Sequence, residues 1–503
     1  MRPLNHPDMY KQIKESIEKA AFGGGLKGKV FRGGAWLGAG SAAEQTARFA
    51  RNMILTRLLA PEAFGTMAIV LSTNAIIQSF TDIGVRDAII QNPRGGEREY
   101  VGAAWWMTFG RALSIYSLLL LIAPSIARFY GNLELSPLLR VTAASMLFEG
   151  ALSTKAYVAL KEMKFSKWAA IFHGGGICGV ITTVILSLFI RDVWALVLGN
   201  LTEGAARCAL SYIVCPFFPI MKWEKKALRE LVTFSKGLFG LSFLNFIFSR
   251  TDIFVLAKMF PAAQLGLYTM AIYLVQTPTN FILNLMGHVV LPTFSQVQGD
   301  KVRTNRIVLQ IVKLVMFLGM PVLAFVFFCG RSLLTTVYGQ RYAAGAAALV
   351  VASCVAIINI VNAQATGVFY ANGQPGLHRR CVAIMAILMV LLVYPLARWF
   401  GLVGGQLACL ISMIVGFLFQ VDRIRDFTAI NVFEYGKIFL ISSLIATTVV
   451  VVCLGTRPFA ALARPLPNIA LGIAGCLFAY GLTVMILLRG QRELTQNVLS
   501  TDP

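Results

Sequence analysis

Long apolar runs alternate with short polar breaks along almost the whole chain. The runs predict helices at about 35–58, 64–84, 101–125, 138–160, 168–190, 193–215, 234–258, 265–291, 305–329, 343–371, 376–397, 401–420, 434–454 and 467–488. A helix of about 20 apolar residues crosses the roughly 30 Å hydrocarbon core of a bilayer. Strands of a membrane barrel would be near ten residues with alternating polarity, and these runs are longer and continuous. The expected fold class is an all-α polytopic membrane protein with about 14 transmembrane helices.

The polar breaks carry a second pattern. With the N-terminus inside, after Lys27, Lys29 and Arg32, every even-numbered loop is basic. These loops hold Arg86, Arg94 and Arg98; Lys161, Lys164 and Lys167; Lys222, Lys225, Lys226 and Arg229; Lys301, Arg303 and Arg306; Arg379 and Arg380; Arg423 and Arg425. Odd-numbered loops are poor in lysine, and those at 60–63 and 260–264 contain no basic residue. Adding or removing one helix would scramble this alternation, so it supports the topology independently of hydropathy and places both termini in the cytoplasm. Residues 7–22 put Met9, Ile13, Ile17 and Ala21 four apart between lysines, which predicts a short amphipathic helix on the membrane surface, with a disordered tail as the alternative. Residues 1–32 lack the apolar core of a signal peptide.

Shifting the sequence by 201 residues lays ILTRLL (54–59) on VLAKMF (255–260) and Phe64-Gly65 on Leu265-Gly266 without a gap. Both copies read apolar helix, cation, two apolar residues, a tight turn, then a glycine near the start of the next helix. An even number of helices between equivalent points makes these parallel repeats in pseudo-two-fold relation, and transporters place substrate where such halves meet. The expected organisation is a cytoplasmic amphipathic and basic segment (1–34), a six-helix lobe (35–220), a cytoplasmic inter-lobe loop (221–236), a second six-helix lobe (237–425), and an appended helix pair with a tail (426–503).

Composition agrees. Of 503 residues 57% are hydrophobic and 14% charged, against roughly 25% charged in soluble domains. A net charge of +22 would suggest nucleic acid in a soluble protein. Here the basic residues are scattered over short loops, which is the positive-inside pattern, and no nucleic-acid partner is expected. The nine cysteines form no CxxC and sit mostly inside apolar runs, so they read as small buried residues. No cofactor is expected.

Charges inside the predicted spans are the candidate chemistry. They are Glu44, Arg48 and Arg51 on the first; Asp82; Arg111; Glu149 and Lys155; His173; Glu203 and Arg207; Arg250 and Asp252; and His288. A charge at the bilayer centre costs about 2.5–17 kcal/mol, so each must face the bundle or a wet cavity. Glu44, Arg48 and Arg51 share one helix face. Glu203 with Arg207, and Glu44 with Arg48, are spaced to pair within one helix. Guanidiniums grip oxyanions bidentately, so Arg48, Arg51, Arg111, Arg207 and Arg250 are the candidates to bind a phosphorylated cargo. Glu44, Asp82, Glu149, Glu203 and Asp252 are candidates for H⁺ or Na⁺ coupling, or are counter-ions. Beyond about residue 315 the spans carry almost no charge away from their ends, and their polar residues are neutral, such as Asn359, Asn362 and Gln364.

The strings RLLAPEAFG (57–65) and, after Asp252, LGLYTMA (265–271) resemble the polysaccharide transporter family of bacterial oligosaccharide (Wzx-type) flippases, in the multidrug/oligosaccharidyl-lipid/polysaccharide superfamily. The resemblance covers roughly 30–430. It implies two bundles that open alternately to either side of the inner membrane, an undecaprenyl-diphosphate-linked oligosaccharide as cargo, and service to polysaccharide polymerase machinery. It also implies a cavity arginine at Arg51; a second arginine of the related lipid II flippases corresponds to Gln45 here. A multidrug/cation antiporter of the same superfamily is the first rival, and the excess of arginine argues against it. A membrane polymerase is the second, and the external loops are too short for its catalytic residues. The chain is thus expected to be a transporter and not an enzyme.

Overall fold

The computed structural model describes residues 26–81, 84–219, 229–233, 240–428 and 436–443, with isolated positions at 447, 473–474 and 481. The predicted surface helix at 7–22, Asp82, most of the 221–236 loop and nearly all of the last two crossings lie outside the described residues. The described elements are helical, with no strand among them. In chain order they are α1 (Leu26–Leu58), α2 (Pro61–Thr81), α3 (Val85–Gln91), α4 (Arg98–Tyr130), α5 (Leu135–Gly150), α6 (Lys155–Lys161), α7 (Phe165–Phe189) and α8 (Val193–Val214). There follow α9 (Leu241–Met259), α10 (Ala262–Gln296), α11 (Lys301–Tyr338), α12 (Ala346–Ala371), α13 (Pro375–Phe400) and α14 (Leu402–Ile424). This is an all-α polytopic membrane protein. Among the described residues, six stretches are long and apolar enough to span by length and composition alone: α4, α7, α11, α13, α14, and α12 with the 3₁₀ turn before it. Helices α1, α8 and α9 each carry two or more of the intramembrane charges, and α4 and α5 carry Arg111 and Glu149.

Sequence punctuation explains the helix ends. Pro61 starts α2 where a helix has no use for its missing N–H. Gly131 closes α4 in the left-handed region (φ 69°), its N–H returning to the Ala127 and Arg128 carbonyls. The polar break after α2 is not a plain loop: it folds into α3 and a 3₁₀ turn at Pro93–Gly96.

The crossing expected at 138–160 is two helices, α5 and α6, separated by an unwound stretch at 151–154. Unwound backbone is tolerated at membrane depth only where protein satisfies it, and here it does. The Ala151 carbonyl accepts from Trp105 Nε1 (3.2 Å) and the Tyr212 hydroxyl (2.8 Å). Ser153 N–H donates to Ser211 Oγ at 2.9 Å, and its own hydroxyl to the Cys215 carbonyl at 2.7 Å. Thr154 Oγ1 donates to the Val101 carbonyl at 3.0 Å. Ser153 and Thr154 are completely buried.

The chain divides into two compact units: Met1–Leu59 with Val70–Phe243, and Ala60–Ile69 with Leu244–Pro503. In the first, α7 packs against α1 and α8, and α4 against α5. In the second, α12 is central, packing on α10, α11 and α14.

The second unit contains the two repeated turns. A Cβ on Gly65 would overlap the Ala262 carbonyl, and a Cβ on Gly266 would overlap the Pro61 carbonyl. Positions 61 and 262, like 65 and 266, correspond under the sequence repeat, so the two turns cross reciprocally, backbone on backbone. The rest of the repeated motif packs around this crossing. Leu265, Tyr268 and Ala271 are fully buried, and Phe64 sits edge-on to Tyr342 at 6.4 Å between ring centroids.

Candidate functional site

Three helices of the first unit bring their charges together. Glu44 and Arg48 stand one turn apart on α1, and Glu203 and Arg207 one turn apart on α8. Arg48 Nη2 donates to Glu44 Oε1 at 2.7 Å and to Glu203 Oε1 at 2.6 Å, and Arg48 Nε adds a bond to Glu44 at 2.9 Å. Arg207 Nη2 lies 2.6 Å from Glu203 Oε1 and 3.7 Å from Glu44 Oε1. One oxygen of Glu203 thus serves both guanidiniums. His173 of α7 faces Glu44 Oε2 through Nδ1 at 2.7 Å. Arg207 also donates from Nε to the Phe172 carbonyl at 3.3 Å and lies over the Phe172 ring. The carboxylate side chains are 11% exposed and the guanidiniums 20%, so the network is largely removed from solvent.

Glycines make the room. A Cβ on Gly175 would strike Arg207, on Gly176 the Glu44 carboxylate, on Gly179 Glu203 Cβ, and on Gly40 the His173 ring. The Gly174-Gly175-Gly176 run and Gly179 therefore let α1 and α8 approach α7 closely enough for a three-helix charge network.

The other candidates are placed separately. Arg51, one turn along α1 from Arg48, is half-buried and bonds Asn52 Oδ1 from Nε at 3.2 Å. Arg111 is half-buried on α4, and Glu149 near the end of α5 accepts from Gln78 Nε2 at 3.1 Å. Lys155 opens α6 next to the unwound stretch.

In the second unit Asp252 is buried. The Tyr268 hydroxyl donates to Asp252 Oδ2 at 2.6 Å and accepts from Gln406 Nε2 at 3.0 Å. Gly405 leaves the space that the Tyr268 hydroxyl fills. Arg250, two residues before Asp252, is exposed on α9.

Sequence spacing marked the two pairs within single helices. It did not join them across 155 residues, and it left His173 out of the network. The available signal was the glycine run directly after His173.

A family profile described as "Polysaccharide biosynthesis protein" matches residues 54–347, more than half of the chain. The chain belongs to this family. Among its relatives is the succinoglycan biosynthesis transport protein ExoT of Rhizobium meliloti, 22% identical over 59% of this chain and 60% of that one. Another is the lipopolysaccharide biosynthesis protein WzxC of Escherichia coli, 21% identical over 73% of each chain. The fold matches that of the lipid II flippase MurJ in an inward closed conformation, with a TM-score of 0.73 at 12% identity, over 90% of this chain and 98% of that one. The fold and family are those that the two short motifs suggested.

Proposed function

We propose that this protein is a flippase for a lipid-linked oligosaccharide, carrying an undecaprenyl-diphosphate-linked glycan across the bacterial inner membrane for cell-surface polysaccharide synthesis. Both termini face the cytoplasm, a polymerase consumes the exported unit, and transport proceeds by alternating access.

The observation that carries this reading is the charge balance inside the first unit's membrane helices. Among the described residues Glu44, Glu149 and Glu203 stand against Arg48, Arg51, Arg111, Lys155 and Arg207, and adding Asp82 from the sequence still leaves one cation in surplus before His173 is counted. Such a surplus suits an anionic cargo and opposes a cationic drug. Within it the roles divide. Arg48 and Arg207 are held by carboxylates and fix the geometry of α1 and α8 against α7. Arg51, on the same helix as Arg48, is the first contact for the diphosphate, supported by Arg111; Arg250, exposed on α9, is a further candidate phosphate contact. A diphosphate competes with Glu44 and Glu203 for the shared guanidiniums. It therefore shifts the conformational equilibrium if that exchange differs between states. Glu44, Glu149 and Asp252 are the carboxylates through which H⁺ or Na⁺ coupling would act.

The test is glycan export in a deletion strain complemented with Arg51→Ala or Arg250→Ala. Export is expected to fall at least about tenfold, the effect of losing roughly one charge-assisted contact. Full export by well-expressed forms of both variants would remove the diphosphate role.

A further inference from the structure

The second unit holds a cavity of about 520 Å³ that the charge network does not use. It lies among α9, α10, α12, α13 and α14, and its described lining contains no Asp, Glu, Lys or Arg. The size is within the roughly 300–1,000 Å³ of small-molecule sites. Its polar groups are carboxamides, hydroxyls and the His378 imidazole, whose Nδ1 is paired with Thr366 Oγ1 at 3.3 Å. Two of them are spent poorly. Asn362 is 6% exposed, and neither its Nδ2 nor its Oδ1 has a hydrogen-bond partner. Gln420 is 1% exposed; its Nε2 reaches only the Cys381 sulfur at 3.2 Å, and its Oε1 has no partner. Phe248 and Tyr370 add aromatic surface to the same wall.

Buried amides without partners oppose folding, so their presence together in one cavity calls for an occupant. That occupant must offer donors and acceptors to Asn362 and an acceptor-seeking hydroxyl to Gln420. It carries no net charge, because the described lining offers no Asp, Glu, Lys or Arg to neutralise one and His378 already shares its Nδ1 with Thr366. It also has apolar faces for the aromatic and methionine walls. A hydrocarbon chain meets the last need and fails the first. A neutral sugar ring meets all of them, with hydroxyls around the rim and C–H faces above and below. We propose that this cavity is a subsite for an uncharged sugar residue of the cargo, centred on Asn362 and Gln420. This rests on the flippase reading and deepens it by naming where an uncharged part of the glycan is held.

The experiment uses the full-length protein in nanodiscs, with two probes: undecaprenyl diphosphate, and the same lipid bearing one N-acetylglucosamine. Wild type is expected to bind the glycosylated lipid at least tenfold more tightly. Asn362→Leu is expected to erase that difference while binding the bare diphosphate lipid as wild type does. Because leucine removes two unpartnered groups from a buried position, its melting temperature without lipid should equal or exceed wild type. Gln420→Leu provides the second variant. If wild type shows no sugar-dependent gain, or if both variants retain it, the subsite is overturned. A gain in affinity for the bare lipid in Asn362→Leu would also overturn it, and would assign the cavity to the prenyl chain. Failure of wild type to bind either lipid would instead refute the flippase reading itself.

Discussion

One carboxylate oxygen of Glu203 holds two guanidiniums, and this sharing makes the residue a keystone for three helices. Glu203→Gln would remove the shared negative charge and leave Glu44 as the carboxylate facing Arg48 and Arg207 among the described residues. Removing one partner from a buried ion network costs about 3–5 kcal/mol, so the variant should melt markedly earlier in detergent. Arg51→Ala lies outside that shared contact and should melt close to wild type while losing affinity for undecaprenyl diphosphate. A large loss of stability in Arg51→Ala with unchanged lipid affinity would reverse the assigned roles. Spacing alone exposed Glu44–Arg48 and Glu203–Arg207, because a helix fixes neighbours four residues apart. The contact between Arg48 and Glu203 depends on how α1 and α8 register against α7, and a single sequence does not encode that visibly.

Among the elements, α7 shows what glycine does for packing. Gly176 faces the Glu44 carboxylate, whereas Gly110 on α4 faces open space. Gly176→Ala should cost about 1–3 kcal/mol through overpacking, and Gly110→Ala should be close to neutral; melting curves of the two compare them directly. The unwound stretch between α5 and α6 makes a similar demand. Ser211→Ala removes the acceptor of the buried Ser153 N–H, at about 1–3 kcal/mol. Hydropathy located the crossings that the described residues cover, because long apolar runs leave little choice in a bilayer. It missed this break because Ser153 and Thr154 barely alter a window average, and their partners lie 53–62 residues away. It likewise read the α3 segment as loop, since seven residues are too few for a spanning signal.

At the scale of the molecule, chemistry is partitioned. Among the described residues the charge network sits on helices of the first unit, and the cavity of the second has no Asp, Glu, Lys or Arg in its lining. The change in composition beyond about residue 315 was visible in the sequence, but a cavity drawn from five helices was not. If cargo is anionic, a deletion strain should lose surface glycan and keep wild-type tolerance of cationic drugs such as ethidium. Drug sensitisation with intact glycan would point to the antiporter instead.

The crossing of the two repeated turns carries a final consequence. Pro61 and Ala262 each present a carbonyl, and Gly65 and Gly266 each present the bare backbone beneath it. Each turn gives what it receives, which is the signature of a self-complementary surface. A side chain at either glycine would strike the other turn's carbonyl, so Gly65 and Gly266 each hold open the path of the turn opposite.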